Sequence, residues 1–311
     1  MIKLHINKII VGAMLAVALI IPANNVWAET QDIPTADPGA VTNSTNAVTN
    51  NTNAVSNNTN AVSSNTNAVS NSTNAVSNNT NAVSSGTNAS IIDPNALIIE
   101  TQLNQFFSQA AFIGNSIGVG LKNYIKKQGP GYLGNPTLLT VGCYSFRNDS
   151  AGNPKYMVSL NGTSMKAEDA VALSGARYVF ISMGTNDLFE GVDKTYDRYV
   201  AYINGIRLKS PGVLFFIEST TPATSTSNVS NAKIDELNER MAKYCEGAAD
   251  SFYVDISTPM KNEQGFLDSS LSSDNSCHLN NKAYAIWMDT VRNYAYNIIL
   301  MTNQAQGVGT F

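Results

Sequence analysis

The chain has 311 residues, a formal net charge of -4, 43% hydrophobic residues and only 14% charged residues. This apolar content is enough for one sizeable core, and the mild acidity gives a nucleic-acid partner no electrostatic support. The three cysteines, an odd number, exclude a disulfide framework and match no zinc-binding spacing.

The first 28 residues have the pattern of a secretory signal peptide. Lys3 and Lys8 precede an apolar run over residues 9–21, and Val26-Trp27-Ala28 resembles a small-x-small cleavage site. An uncleaved anchor helix is the alternative, but the run is short for a bilayer span. We therefore expect an exported protein, secreted or at the cell surface, with no stable membrane insertion after cleavage.

Residues 29–92 are predicted to be a linker of low complexity. A seven-residue unit close to Thr-Asn-Ala-Val-Ser-Asn-Asn recurs between Thr45 and Ser90. The two apolar residues of each unit are adjacent, so they cannot form the seam of a coiled coil. Because the segment has too little apolar surface to offset the entropy of ordering, we expect a disordered stalk. A stacked β-repeat is the alternative.

Residues 93–311 are predicted to form one α/β domain. Five short apolar runs are typical of buried strands: 111–113, 138–141, 178–183, 213–218 and 252–256. Helical apolar stripes lie at 193–210 and 281–300. This alternation indicates a parallel sheet covered by helices on both faces, with functional loops at the carboxyl ends of its strands.

Two residues in those loops could carry chemistry. Ser116 follows the first strand in a tight Gly114-Asn115-Ser116 turn before a helix, where a helix cap is the simpler interpretation. The chain has two histidines, and His5 lies in the signal segment, so the mature protein would keep His278 alone. His278 follows the fifth strand and directly precedes the last helix, at the expected edge of the sheet.

The order of these residues resembles the SGNH/GDSL hydrolase superfamily. The blocks that carry the resemblance are the Gly-Asn-Ser around Ser116, then Gly142, then Gly-Thr-Asn-Asp at 184–187, and finally His278. The similarity runs from about Ile99 to the end of the chain. It implies a flavodoxin-like, three-layer α/β/α sandwich with a mainly parallel five-stranded sheet.

The resemblance also implies a role for each matching residue. Ser116 would be the nucleophile and His278 its general base. The N–H of Ser116, the N–H of Gly142 and the side chain of Asn186 would form the oxyanion hole. Asn115 stands where the family usually has Asp, a position that commonly supports the turn more than the chemistry.

The acid that orients the histidine is the second departure from the family. It normally lies three residues before the histidine, where this chain has Asn275, whereas Asp274 lies four before. Either the loop is reshaped so that Asp274 reaches the imidazole of His278, or Asn275 orients the ring without a charge. A neutral partner in this place costs about 10⁴ in rate in a serine protease.

These residues predict an exported serine esterase that hydrolyses small acyl esters through an acyl-serine intermediate. O-acetyl groups of carbohydrate or cell-envelope polymers are the first choice of substrate, and lipid esters the second. The alternatives are an acyltransferase on the same site and a non-catalytic surface binding module that kept the fold. No metal or cofactor is implied. Cys143 and Cys277 flank the candidate loops and are the one pair considered for a disulfide.

Overall fold

The computed structural model describes residues 94–305. The predicted signal peptide and repeat linker lie outside the described residues. Within residues 94–305, none of the helices combines the length and the apolar character needed to cross a bilayer.

The described residues form seven helices and seven strands. The helices are α1 (Pro94–Ser108), α2 (Ser116–Lys127), α3 (Phe146–Ser150), α4 (Ala167–Ser174), α5 (Val192–Lys209), α6 (Asn231–Gly247) and α7 (Asn281–Ala305). The strands are β1 (Ala110–Gly114), β2 (Thr137–Thr140), β3 (Val158–Leu160), β4 (Thr163–Met165), β5 (Tyr178–Ser182), β6 (Leu214–Glu218) and β7 (Ser251–Val254). Short 3₁₀ turns occur in the connections, among them Leu188–Glu190 after β5 and Ser269–Leu271 before α7.

Five strands form a parallel sheet in the order β2-β1-β5-β6-β7, and β3 and β4 form a separate antiparallel pair. β1 is an internal strand, and Gly114 at its end lies opposite Thr140 of β2 and Ser182 of β5. The chain leaves β1 toward β2 and leaves β5 in the opposite direction, toward β6. The sheet therefore has a topological switch point between β1 and β5, where α/β proteins form their sites.

Alternate residues of the central strands face two separate helical layers. Ile113, Ile181 and Ile217 belong to a buried cluster with side chains of α4, α5 and α6. Phe180 and Phe216 belong to a second cluster with α1, α2 and α7. The predicted three-layer α/β/α sandwich with a parallel five-stranded sheet is thus confirmed. All five predicted strands are present, with bounds that differ by two residues at most.

A ladder of four aromatic rings fixes the register of the sheet on the α7 side. Phe112, Phe180, Phe216 and Phe252 occupy facing positions on adjacent strands. The centroid separations are 4.6 Å for the first two neighbouring pairs and 5.4 Å for the third, each with stacked rings. Because a one-residue slip would move every ring to the other face, this ladder holds the strand ends, and so the site, in register.

Candidate active site

The turn after β1 presents Ser116 at the carboxyl edge of the sheet. Asn115 is the N-cap of α2, and its side chain accepts a hydrogen bond of 2.9 Å from the N–H of Ile117. The turn is tight, because a Cβ on Gly114 would lie 2.9 Å from the Cα of Gly118. Asn115 is therefore occupied in capping, and Ser116 begins the helix at the positive end of its dipole.

The imidazole of His278 lies between Ser116 and Asp274. Its Nε2 is 3.0 Å from Ser116 Oγ. Its Nδ1 is 2.5 Å from Asp274 Oδ2. The three side chains form a continuous hydroxyl–imidazole–carboxylate chain, in which one ring nitrogen can accept the serine proton while the other is held by a charge.

A compact loop holds Asp274 in this position. Its Oδ1 accepts hydrogen bonds from the N–H of Ser276 at 2.8 Å and from the N–H of His278 at 3.2 Å. Burial acts to raise the pKa of Asp274, but hydrogen bonds from His278 and from the backbone N–H groups outweigh it and hold the pKa below its usual value. The carboxylate therefore stays ionised at neutral pH.

Among the described residues, the imidazole of His278 contacts the side chain of Asp274 and not that of Asn275. Asn275 adopts a left-handed backbone with φ of 55°, which turns the chain and brings Asp274 back to the ring from four residues away. The carbonyl of Asn275 accepts hydrogen bonds from the hydroxyls of Thr224 at 2.8 Å and Thr226 at 2.9 Å. The loop after β6 therefore fixes the loop that carries His278.

Gly142 lies beside the Ser116 turn. The N–H of Val141 donates to the carbonyl of Gly114 at 3.2 Å, which continues the β2–β1 pairing one residue beyond β2. A Cβ on Gly142 would meet no atom within 4 Å, so this backbone borders open space. Among the backbone hydrogen bonds of the described loops, turns and caps, none is donated by the N–H of Gly142 or by the N–H of Ser116.

The loops after β2 and β5 are joined by two buried or half-buried side chains. Asn186 Nδ2 donates to the carbonyl of Tyr144 at 2.9 Å. The carboxylate of Asp187 accepts from the N–H of Phe146 at 3.1 Å and of Arg147 at 3.2 Å. Burial raises the pKa of Asp187 to about 6 against the effect of these two bonds. The joined loops hold Gly142 and Asn186 at one edge.

Gly184 is required at the start of the Gly-Thr-Asn-Asp turn. Its φ is 117°, a conformation that residues with a side chain rarely adopt. A Cβ there would also lie 2.7 Å from Leu237 Cδ2 and 2.9 Å from Thr220 Oγ1. The turn that presents Asn186 therefore depends on a glycine.

Three supporting residues were not assigned a role from the sequence. They are Asp187, Thr224 and Tyr284. The hydroxyl of Tyr284 donates to the carbonyl of Ile117 at 2.9 Å and so connects α7 to the first turn of α2. Asp187 could have been found from the Gly-x-Asn-Asp block, whereas no pattern marks Thr224. The Cys143–Cys277 pair that was considered for a disulfide is not bonded, since both of these described cysteines are free.

The model of the GDSL-like lipase/acylhydrolase family matches residues 112–286. The match covers more than half of the chain and includes all of the candidate site residues. The chain belongs to this family. The resemblance inferred from the Ser116, Gly142, Gly-Thr-Asn-Asp and His278 blocks is thus confirmed.

Several solved structures are similar to this chain at low sequence identity. A GDSL-like lipase from Bacteroides thetaiotaomicron is 16% identical, with 65% of this chain and 98% of that one covered and a TM-score of 0.45. A carbohydrate esterase family 3 protein from Talaromyces cellulolyticus is 16% identical, with 61% and 97% covered and a TM-score of 0.44. The catalytic domain of peptidoglycan O-acetyltransferase A from Streptococcus pneumoniae is 11% identical, with 61% and 93% covered and a TM-score of 0.41. No curated protein matches the chain.

Proposed function

We propose that this GDSL-family protein is an exported serine esterase that removes small acyl groups, O-acetyl first, from carbohydrate or cell-envelope polymers. The observation that carries the proposal is the chain from Ser116 Oγ through His278 to Asp274, with contacts of 3.0 Å and 2.5 Å. A serine hydroxyl is a poor nucleophile at neutral pH until a base takes its proton. His278 is placed to be that base.

The first half-reaction forms an acyl-serine. His278 Nε2 takes the proton of Ser116 as Oγ attacks the ester carbonyl, and the ionised Asp274 stabilises the imidazolium that results. The N–H groups of Ser116 and Gly142 and the side-chain amide of Asn186 stabilise the oxyanion. Asn186 has two N–H donors, of which one binds the Tyr144 carbonyl and the other is the donor that the oxyanion needs.

The second half-reaction releases the acyl group. When the tetrahedral intermediate collapses, the bond to the leaving alcohol breaks and His278 gives that alcohol its proton. Water then enters, His278 takes one of its protons, and the hydroxide adds to the acyl carbonyl. Collapse of this second intermediate yields the free acid and returns the proton to Ser116. The products are one carboxylic acid and one alcohol.

The exposure of the site supports a large alcohol as the leaving group. The side chains of His278 and Asp274 keep 44% and 36% of their surface accessible to solvent. A polymer can approach such an open site from the leaving-group side. The signal-like N-terminus and the repeat linker support a place of action outside the cytoplasm, on an envelope or environmental polymer.

A panel of p-nitrophenyl esters from acetyl to octanoyl tests the proposal, followed by release of acetate from an O-acetylated polysaccharide. We expect turnover that is highest for acetyl and that Ser116→Ala abolishes. The matched control is Ser108→Ala, an exposed serine at the end of α1. Turnover that survives in Ser116→Ala, or a wild-type protein that hydrolyses no ester, would contradict the proposal. Transfer of acetyl to a sugar hydroxyl in place of water would identify a transferase.

A further inference from the structure

The loop that carries His278 brings three different metal-binding donors together. A carboxylate oxygen of Asp274, the thiol of Cys277 and a ring nitrogen of His278 all lie within 4.8 Å of one another. The thiol of Cys277 is free and half-buried. The mechanism above uses the carboxylate and the imidazole but gives the thiol no part.

We propose that Asp274, Cys277 and His278 form an inhibitory binding site for a divalent transition-metal ion of the zinc class. One oxygen, one sulfur and one nitrogen donor suit Zn²⁺, Co²⁺ or Cd²⁺. Mg²⁺ and Ca²⁺ prefer oxygen ligands alone and do not bind here. A water molecule completes the four-coordinate shell.

The donors need only a small adjustment to bind a metal. Zinc–ligand bonds of about 2.0 to 2.3 Å in a tetrahedron place neighbouring ligand atoms about 3.3 to 3.8 Å apart. The loop is already ordered by the N–H bonds to Asp274 and by the Thr224 and Thr226 hydroxyls on the Asn275 carbonyl. The donor atoms lie at most 4.8 Å apart, so side-chain shifts of about 1 to 1.5 Å bring them to these spacings and little ordering entropy is lost on binding.

A bound metal disables His278 whichever ring nitrogen it takes. At Nε2, the metal replaces the contact with Ser116. At Nδ1, it replaces the proton that lies toward Asp274, and the neutral ring then carries its proton on Nε2, which can no longer accept the proton of Ser116. The inhibitory effect rests on the proposed function, because it assumes that His278 is the base. Metal binding itself does not depend on the proposed function.

Cobalt spectroscopy on the full chain tests the site without any measurement of activity. Titration with Co²⁺ gives a near-ultraviolet thiolate-to-cobalt charge-transfer band in the wild type, and Zn²⁺ removes it by competition. The band persists in Cys143→Ser and is lost in both Cys277→Ser and Cys277→Ala, whose thermal unfolding without metal shows that they fold. A wild type without the band, or a band that remains in the folded Cys277 variants, would overturn the proposal.

Turnover of p-nitrophenyl acetate tests the inhibitory effect. Zn²⁺ at a concentration that saturates the cobalt-defined site stops the wild type, EDTA restores it, and Mg²⁺ has no effect. Cys277→Ser keeps its metal-free rate but needs about tenfold or more Zn²⁺ for the same inhibition. Equal sensitivity of this variant, or full activity of the saturated wild type, refutes the inhibitory site. A wild type inactive even without metal refutes the proposed esterase function instead, while the cobalt spectrum still decides the metal site.

Discussion

His278 Nε2 lies 3.0 Å from Ser116 Oγ although 162 positions separate the two residues in the chain. The sheet accounts for part of this approach, because Ser116 follows β1 at the carboxyl edge. The helices account for the rest: Tyr284 in α7 donates to the carbonyl of Ile117 in α2. The contact between Ser116 and His278 is therefore supported by the packing of α2 against α7.

We predict that Asp274 rather than Asn275 orients the imidazole, because Asp274 Oδ2 lies 2.5 Å from His278 Nδ1. We expect Asp274→Asn to lower kcat by about 10³ to 10⁴ with little change in KM, because its amide would face Nδ1 and favour the wrong tautomer. The matched control is Asn275→Gly, which removes the neighbouring side chain and suits the left-handed backbone at φ 55°. Its kcat is expected to stay within a few-fold of wild type. Steady-state kinetics on both variants measure this difference. A larger loss of kcat in Asn275→Gly than in Asp274→Asn would contradict the assignment.

Asn186 is expected to act on the transition state. Asn186→Ala removes an oxyanion donor and should lower kcat by about 10² to 10³. It also removes the 2.9 Å bond to the Tyr144 carbonyl, which should cost about 1 kcal/mol in the free energy of unfolding. Asn148→Ala is the control, since its amide makes a similar 3.0 Å bond to the Cys143 carbonyl in the same loop. Equal losses of kcat in the two variants would show that Asn186 only stabilises the loop, and would contradict its role as an oxyanion donor.

Glu218 makes the stability of the fold depend on pH. It lies buried at the end of β6, where it accepts a 2.8 Å bond from Trp287 Nε1, and burial raises its pKa to about 8. A carboxyl with a raised folded-state pKa contributes its full stability below about pH 4.5, its unfolded value, and loses it as the pH rises to about 8.

Glu218→Gln tests this dependence, because glutamine keeps an acceptor for Trp287 and cannot ionise. We expect it to match wild type near pH 4.5 and to exceed it at pH 8 by at most about 5 kcal/mol in the free energy of unfolding. Urea unfolding of both proteins at the two pH values measures the difference. A difference that does not change with pH would refute the role of Glu218.

The aromatic ladder is expected to carry much of the stability of the sheet. Phe180 is fully buried between the rings of Phe112 and Phe216, so Phe180→Ala should cost about 3 to 5 kcal/mol in the free energy of unfolding. The control is Phe189→Ala, because Phe189 is 65% exposed. It should cost less than about 1 kcal/mol. Denaturant unfolding that shows similar losses for both would contradict the ladder's importance.

The sequence was sufficient to predict the five-stranded sheet because the inner strands of this sheet are buried on both faces. β1, β5 and β6 are buried at every position, so they appear in the sequence as short apolar runs that a parallel sheet requires. The β3–β4 hairpin was not predicted. Its strands have only three residues each and are partly exposed, so the Val158-Ser159-Leu160 alternation is too short to predict a strand.

The candidate site, like the fold, could be predicted from the sequence only in part. Ser116 and His278 were singled out because each lies between a predicted strand and a predicted helix, whereas Gly142 and Asn186 were identified through the resemblance to the SGNH/GDSL superfamily. The choice between Asp274 and Asn275 could not be made from spacing, because it depends on a left-handed backbone at residue 275 and on hydroxyls from a distant loop. Such contacts leave no periodic pattern in the chain.

The most direct test of the account is to label the protein with a fluorophosphonate and to locate the adduct by peptide mass spectrometry. The reagent forms a covalent bond with a serine only where a base activates the hydroxyl. We expect a single adduct on Ser116 in the wild type, none in Ser116→Ala, and greatly slowed labelling in His278→Ala. A wild type that stays unlabelled, or an adduct on another serine, would contradict the claim that Ser116 and His278 form a working nucleophile and base.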